Sequence, residues 1–216
     1  MKKLSVLGVL IAVVIGFLYF YSIEKPTTFT GFKKEDIPEK FIESPYYSKY
    51  KLDKEFVIYV DFGKSRKKRR LWVVDKGIVI ASSYTSHGRK SASYSNYLPP
   101  RSFSNKIGSK KSSLGIFRIY PEKQMNPGKT HYCTCNKYIE DNSCSHNGRK
   151  FPIMGLDESN SNALTRGVII HTSKYVSEQG CTGNSDGCFV VSPEIFEILQ
   201  NKRLMYLKKC YLVAMN

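Results

Sequence analysis

The stretch "RGVIIHTSKYVSEQGCTGNSDGCFVVSPEIF", residues 166–196, carries the features that decide the fold. It opens on a β-branched run that predicts a strand with His171 at its end. A loop rich in Gly, Ser and Asn then leads to Cys188, and an apolar run follows that cysteine directly. Ser192 is a suitable helix N-cap and Pro193 suits the first helical position, so we expect a short helix to begin there.

The rest of the chain carries further strand signals. Tyr and Phe number 15 and 12 among 216 residues, and aromatic residues favour β structure. Asp75-Lys76-Gly77 is a turn between two β-branched runs, so we expect 71–75 and 78–84 to pair as a hairpin. The fold is therefore expected to be mainly β with one or two short helices. The other candidate strands are 56–62, 115–121, 166–173 and 206–215.

The N-terminus predicts a membrane anchor. Lys2 and Lys3 precede an uncharged stretch from Leu4 to Ile23, whose 20 residues can span a bilayer as a helix. The two lysines favour a cytoplasmic N-terminus, which places the rest of the chain outside. A cleaved signal peptide is the alternative, but no Ala-x-Ala-like site follows the stretch. We expect residues 1–23 to be a signal anchor in the cytoplasmic membrane of a bacterium.

The anchor divides the chain into three expected parts. Residues 24–55 have mixed charge and are interrupted by Pro26, Pro38 and Pro45, so they are interpreted as a linker stalk. Residues 56–216 form the expected globular domain. They include a Cys-rich insertion at 121–150, interpreted as an elaborated loop between strands.

The charge balance indicates an anionic partner. There are 34 basic and 18 acidic residues, which gives a formal net charge of +16. Such a protein usually binds nucleic acid, anionic lipid or an acidic polymer such as cell wall. Because the domain is expected outside the membrane, no nucleic-acid partner is expected. The basic run 64–70, "KSRKKRR", is interpreted as a solvated loop between strands.

The six cysteines have different expected roles. Cys133, Cys135 and Cys144 lie close to His146 in the insertion, and these four side chains could hold zinc. Cys-x-Cys is not the usual zinc-knuckle spacing, however, and an oxidising compartment favours disulfides. We therefore favour a disulfide between Cys144 and either Cys133 or Cys135, with zinc and free thiols as alternatives.

Cys188 and His171 suggest nucleophilic catalysis. A thiol attacks carbonyls as thiolate, and its usual pKa of about 8.5 leaves little thiolate at neutral pH. A neighbouring imidazole can accept the proton or stabilise the thiolate. Gly187 lets the chain turn sharply at Cys188, so that backbone N–H groups there can meet a developing oxyanion. A disulfide between Cys181 and Cys188, or a buried inert Cys188, is the competing interpretation.

Taken as an ordered set, the motifs resemble the catalytic domain of the murein L,D-transpeptidases (YkuD-type). That family carries a histidine, a variable loop and then Ser/Thr-x-Gly-Cys, which here read "IIHTS" and "SDGC". "SSLGIFRI", residues 112–119, is similar to the family's Thr-Pro-x-Gly-x-Phe-x-Ile strand. "RLWVVDKGIVIASSYTSHGR" and "GLDESNSNALTRGVIIH" resemble the murein branch. The resemblance covers residues 56–200 and implies the β-sandwich of this family.

Two positions depart from the family pattern. Asp186 stands where many relatives carry His, and Val190 stands where the common pattern has Arg. A carboxylate beside the nucleophile would oppose thiolate formation if it pointed inward, so we expect Asp186 to point outward. The murein branch also lacks the arginine, so Val190 is not interpreted as a loss of activity.

The resemblance implies a cofactor-independent cysteine acyltransferase. Cys188 would attack the third residue of a peptidoglycan stem peptide and expel the terminal D-alanine, with His171 as base or imidazolium partner. Gly187 and Cys188 would supply oxyanion-hole amides, and Ser185 and Asp186 would support the loop. An amine acceptor would give a 3→3 cross-link, water a carboxypeptidase and a protein lysine a lipoprotein-attachment enzyme. A catalytically silent wall-binding module is a further alternative.

Three side chains are candidate substrate contacts: Tyr84, His87 and Ser173. A structural role is an equally good expectation for His87. Cys181 has no assigned role, and a disulfide with Cys188 on oxidation is one hypothesis for it.

Overall fold

A computed structural model describes residues 37–92, 98–121, 150–201 and 209–216. Within these residues the chain forms ten strands, three short α-helices and two 3₁₀ segments. The helices are α1 Glu39–Ile42, α2 Pro45–Lys49 and α3 Pro193–Asn201, and the 3₁₀ segments are Leu52–Lys54 and Glu158–Asn160. The strands are β1 Phe56–Asp61, β2 Leu71–Asp75, β3 Ile78–Ser83, β4 Gly115–Ile119, β5 Phe151–Gly155, β6 Ile169–Thr172, β7 Val176–Ser177, β8 Gly180–Cys181, β9 Phe189–Val191 and β10 Cys210–Met215.

Eight of these strands form one sheet in the order β3-β2-β1-β10-β4-β5-β6-β9. The pairs β1/β10 and β6/β9 are parallel, and the other neighbours are antiparallel. β7 and β8 form a separate hairpin. The predicted mainly-β fold with short helices is confirmed.

The two edges of this sheet meet, because the sheet curves back on itself. Thr85 and Ser86 lie just after the edge strand β3, and both donate hydrogen bonds to the carbonyl of Val190 in the opposite edge strand β9, at 2.7 and 3.4 Å. Inside the curve, the ring of Phe189 packs on Phe62 and Phe117, with centroids 6.0 and 5.4 Å apart. The eight strands thus form a single curved sheet whose two edges are in contact.

The predicted hairpin is formed by β2 and β3, with Asp75 opposite Ile78. Lys76 and Gly77 at its turn have φ values of 51° and 77°. Positive φ at both central residues is typical of a type I′ turn, whose twist matches that of paired strands. The helix predicted after Ser192 is also present as α3, and its buried face is formed by Ile195, Phe196, Ile198 and Leu199.

The interval expected to be a stalk, 24–55, is described from residue 37 onwards, and that part packs against the sheet. Phe41 of α1 is fully buried, with its ring 4.8 Å from Tyr59 and 6.2 Å from Trp72. Burial of such a side chain stabilises the fold by about 1.5–3 kcal/mol. Lys40 pairs with Asp61, so residues 37–55 contribute to the core instead of acting as a free linker.

A hydrogen bond from Tyr46 of α2 to Asp157 links this N-terminal segment to the residues that follow β5. Burial and the neighbouring carboxylate raise the pKa of Tyr46 to about 12, and the hydrogen bond holds the pKa of Asp157 below its usual value.

Several sequence-based predictions lie outside the described residues. They are the anchor at 1–23 and the insertion that holds Cys133, Cys135, Cys144 and His146. In the part of the chain that the structure describes, no helix is both long enough and apolar enough to cross a bilayer. The same part holds no group of three or more His, Cys, Asp or Glu side chains placed to bind a metal.

Candidate active site

The pairing of β6 with β9 brings His171 and Cys188 together. These strands are parallel, with Ile170 opposite Phe189 and His171 opposite Val190. Extending this register by one residue places Cys188 beside Ile169. Because side chains alternate along a strand, Cys188 then lies on the same face of the sheet as His171.

His171 is held in one tautomer by the backbone. Its side chain is buried, and Nδ1 lies 2.8 Å from the carbonyl oxygen of Thr172. A carbonyl only accepts, so Nδ1 carries the proton and Nε2 is the basic nitrogen of the neutral ring. Burial lowers the pKa of His171, and the hydrogen bond to Thr172 opposes this only in part. The ring is therefore neutral at neutral pH.

Cys188 is partly exposed, and its Sγ lies 3.8 Å from the carbonyl oxygen of Gly167. Burial of the sulfur raises the pKa of the thiol, and the charge of Asp186 adds to this rise. A backbone hydrogen bond at Ile169 and the charges of Arg166 and Lys150 lower it. The net direction is upward, so Cys188 rests as a thiol on the same face of the sheet as a neutral imidazole. Such a pair reacts by general-base proton transfer.

Ser185 organises the loop in front of Cys188. Its Oγ accepts from the Gly187 amide at 3.1 Å and donates to the Cys188 carbonyl at 2.7 Å. The Ser185 amide donates to the carbonyl of His87 at 2.9 Å. These bonds connect Ser185 to the backbone on both of its sides. They also engage the Gly187 amide within the loop, which leaves the Cys188 amide as the candidate oxyanion donor of the two.

Gly187 occupies a position that a larger residue could not adopt without strain. Its φ is +124°, and a Cβ there would lie 2.9 Å from the Lys111 carbonyl oxygen and 3.1 Å from Arg166 Nη2. The loop therefore turns at Gly187 with the 104–113 segment packed directly against it. This packing fixes the entry of the chain into β9.

Asp186 points outward, as expected from the sequence. It is exposed and forms a bidentate ion pair with Arg89, with Arg89 Nε 2.6 Å from Oδ1 and Nη2 3.0 Å from Oδ2. The arginine offsets much of the negative charge that the departure from the family pattern places next to the nucleophile.

His87 lies in the interior, which favours the structural role over substrate contact. It is 2% exposed, and its Nδ1 accepts from Arg70 Nη2 at 2.9 Å. Burial and the charge of Arg70 lower the pKa of His87 to about 3. Arg70 is itself fully buried, and Arg66 is 4% exposed. The interpretation of 64–70 as a solvated loop is therefore wrong for these two arginines. Arg70 donates to the carbonyls of Thr85 and Lys64, and Arg66 donates to Asn184.

The other two candidate substrate contacts differ in access. Tyr84 is partly exposed, and the Arg69 guanidinium lies 5.4 Å from the centre of its ring. Ser173 is 5% exposed and closes a turn, with its carbonyl accepting from the Val176 amide at 2.9 Å. Of the candidates Tyr84, His87 and Ser173, Tyr84 presents the most surface.

Sequence reasoning missed two supports of the site. Glu178, in the turn of the β7–β8 hairpin, accepts from Ser83 at 2.7 Å and from Ser192 at 2.5 Å, and pairs with Arg69 at 3.1 Å. It ties the hairpin to β3 and to the start of α3. Arg166 lies beside Gly187, and its position depends on contacts with 104–113 that no local motif reveals.

Cys181 lies apart from the surface. It is 1% exposed at the end of β8, and its Sγ donates to the Gly183 carbonyl at 3.4 Å. Cys181 and Cys188 are both free thiols in this structure.

Residues 39–207 match the family model of the L,D-transpeptidase catalytic domain. No curated protein matches the sequence. Among solved structures, an L,D-transpeptidase from Xylanimonas cellulosilytica is 16% identical, with 74% of this chain and 60% of that chain covered and a TM-score of 0.41. A cysteine-to-serine variant of the Enterococcus faecium L,D-transpeptidase is 15% identical, with 74% of this chain and 50% of that chain covered and a TM-score of 0.41. The Campylobacter jejuni helical cell shape determining protein Pgp2 is 13% identical, with 75% of this chain and 48% of that chain covered and a TM-score of 0.43. The chain thus spans between about half and three-fifths of the length of these proteins.

Proposed function

The chain belongs to the family of L,D-transpeptidase catalytic domains, and on this premise we propose that it is a cysteine acyltransferase acting on peptidoglycan stem peptides. The observation that carries the proposal is the placement of His171 and Cys188 on one face of the neighbouring strands β6 and β9. Cys188 is partly exposed there, and the Thr172 carbonyl holds His171 as the tautomer that can act as a base.

In the first half-reaction Cys188 attacks the carbonyl carbon of the third stem residue. As the S–C bond forms, the thiol proton passes to Nε2 of His171, whose Nδ1–H stays bonded to the Thr172 carbonyl. The tetrahedral intermediate then collapses. The C–N bond to the terminal D-alanine breaks, and the imidazolium returns the proton to the departing amine. The products are a thioester on Cys188 and free D-alanine.

The negative charge that develops on the carbonyl oxygen needs donors already in place. The Cys188 amide is our candidate, since the Gly187 amide is bonded to Ser185 Oγ. Ser185 acts on the reaction by fixing the backbone on both sides of the nucleophile.

In the second half-reaction an acceptor attacks the thioester carbonyl and releases the Cys188 thiol. An amine of a second stem peptide gives an amide and therefore a 3→3 cross-link, and His171 takes the amine proton and passes it to the departing Cys188 sulfur. Water as acceptor gives a carboxypeptidase, and a protein lysine gives attachment of a lipoprotein to the wall.

The charge of the chain suits this substrate. Stem peptides carry carboxylates, and a protein of formal net charge +16 attracts them over about 10 Å at ordinary ionic strength. We place the enzyme in the cell envelope, with residues 1–23 as its proposed anchor and without a cofactor or a nucleic-acid partner.

The proposal is tested by incubating the full chain with disaccharide-tetrapeptide muropeptides. We expect release of D-alanine by the wild type and none by Cys188→Ala, while Cys181→Ser serves as a matched cysteine control that remains active. The remaining products identify the acceptor, because cross-linked dimers indicate an amine and monomeric tripeptides indicate water. Unchanged tetrapeptides with folded wild-type protein would show that the proposed function is wrong.

A silent wall-binding module is the second candidate. The observation that favours it is the raised pKa of the Cys188 thiol, because a raised pKa leaves less of the reactive thiolate at neutral pH. Co-sedimentation with intact peptidoglycan without any D-alanine release would support the module and exclude the enzyme.

A further inference from the structure

Arg166 places a positive charge next to the nucleophile loop. It immediately precedes Gly167, whose carbonyl oxygen lies 3.8 Å from Cys188 Sγ. On the other side of the loop, a Cβ at Gly187 would lie 3.1 Å from Arg166 Nη2. The guanidinium of Arg166 therefore lies against Gly187, the residue directly before Cys188. The carbonyl of Gly167, the residue directly after Arg166, contacts the Cys188 sulfur.

Hydrogen bonds to one neighbouring segment hold the guanidinium in place. Nη1 donates to the Ser104 carbonyl at 2.7 Å and to Ser113 Oγ. Nη2 donates to the Lys111 carbonyl and to Ser109 Oγ. Because four bonds fix a planar group, the position of its charge is set before any substrate binds.

These partners are all neutral, and no carboxylate of the described residues forms an ion pair with Arg166. The ion pairs formed within the described residues are Lys40–Asp61, Arg69–Glu178 and Arg89–Asp186, and Arg166 takes part in none of them. Its side chain is partly buried, which reduces screening by solvent compared with an exposed lysine.

The other groups around Cys188 provide little compensation for an anionic sulfur. His171 is neutral, and Asp186 is anionic but paired with Arg89. The charge of Lys150 also favours the thiolate. Arg89 at the same loop is paired with Asp186, whereas the hydrogen-bond partners of Arg166 in the described part of the chain are neutral.

We propose that Arg166 is a positioning residue that stabilises the thiolate of Cys188 with a fixed positive charge and holds segment 104–113 against the nucleophile loop. The inference assumes Cys188 as the nucleophile of the proposed function. Ionisation of the thiol can nevertheless be measured without peptidoglycan, so a failure of one proposal is distinguishable from a failure of the other.

The test follows the rate of Cys188 alkylation by iodoacetamide as a function of pH in the full chain, with the modified peptide identified by mass spectrometry. A neighbouring charge shifts a pKa by about one unit or more, so Arg166→Gln should raise the apparent pKa and slow alkylation about tenfold at pH 7. The limiting rate at high pH should be unchanged. Arg166→Lys, which keeps a positive charge at this position, should stay within about threefold of the wild type.

Ser113→Ala separates the charge from the structural support, because it removes a hydrogen-bond partner of Arg166 and leaves the cation. Its pH profile should match that of the wild type. A profile of Arg166→Gln equal to the wild type, or a rise of the same size in Ser113→Ala, would overturn the proposal. If Arg166→Gln fails to fold, Arg166→Lys and Ser113→Ala decide the question, since a raised thiol pKa in either folded variant contradicts a role based on charge.

Discussion

Cys181 and Cys188 are seven residues apart, yet they lie in opposite environments. Cys181 ends β8 and is buried with Val176 and Val190, and its sulfur is bonded to a backbone carbonyl. Cys188 begins the entry to β9, is partly exposed and shares a face with His171. Burial raises the pKa of both thiols, and an arginine lowers it in both cases. Access and a neighbouring base, and not the local charge, therefore distinguish the candidate nucleophile from the structural thiol.

Two buried histidines in the described part of the chain, His171 and His87, differ in the same way. His171 donates from Nδ1 to a carbonyl, so Nε2 can accept a proton. His87 accepts at Nδ1 from a permanently charged guanidinium, and its pKa falls to about 3. Proton acceptance by His87 would place a second positive charge beside Arg70. Only the first arrangement suits a general base.

The largest expected effect separates the two cysteines. Cys188→Ala should lower the rate of D-alanine release by more than about 10³-fold, since loss of a nucleophile leaves only substrate binding. Cys181→Ser should keep activity within about threefold while it lowers the free energy of unfolding by about 1–3 kcal/mol, because a hydroxyl replaces a buried sulfur. D-Alanine release and thermal unfolding measure the two effects. Equal losses of activity in both variants would remove the distinction.

The histidines should separate by a smaller factor. His171→Gln should reduce turnover about 10²–10⁴-fold with the fold intact, which is the usual contribution of a general base. His87→Gln should mainly lower the melting temperature, since it disturbs the interior contact with Arg70. Circular dichroism gives the folded fraction, so that rates can be expressed per folded molecule. A slower rate for His87→Gln than for His171→Gln would contradict this assignment.

Gly187→Ala should damage the loop through strain. A non-glycine residue at φ +124° costs about 1–3 kcal/mol, and its Cβ would also contact Lys111 and Arg166. We expect lower stability and slower alkylation of Cys188. Gly167→Ala is the matched control, because that glycine also has positive φ but no atom lies within 4 Å of its Cβ position. Identical alkylation rates in the two variants would mean that contact with the 104–113 segment does not matter.

The smallest expected effect is on pH dependence. Burial lowers the pKa of His171, so its ring stays neutral below the usual value of about 6.5. The midpoint of the acid limb of the kcat/KM profile should therefore lie below pH 6.5. The free energy of unfolding should also decrease as pH falls from about 6.5. Histidines take up protons in the unfolded chain that the buried neutral histidines of the folded protein do not. His87→Gln should weaken that acid loss of stability, and an unchanged loss would contradict the buried neutral state of His87.

Local patterns predicted the elements whose cause is local. Lys76-Gly77 specifies the β2–β3 turn, and Ser192-Pro193 specifies the start of α3. The order of motifs predicted the family and named His171 and Cys188. β5 was missed because Pro152 reads as a break, although its flanking residues pair with β4 and β6.

Other features depend on contacts between distant segments. The packing of Phe41 on Trp72 and the clamp of Arg166 on Ser104 join residues that no local pattern relates. The carbonyl that orients His171 belongs to its own neighbour Thr172, but only the backbone conformation directs it toward Nδ1. Sequence therefore predicts which residues react more readily than which groups tune them.

The most direct test of the central claim is peptide mapping of the full chain after brief incubation with disaccharide-tetrapeptide and an acid quench. We predict that the peptide containing Cys188 gains the mass of the disaccharide-tripeptide acyl group, with one D-alanine released for each adduct. Cys188→Ala should carry no adduct. An adduct on Cys181, or D-alanine release by folded Cys188→Ala, would contradict the assignment of Cys188 as the nucleophile.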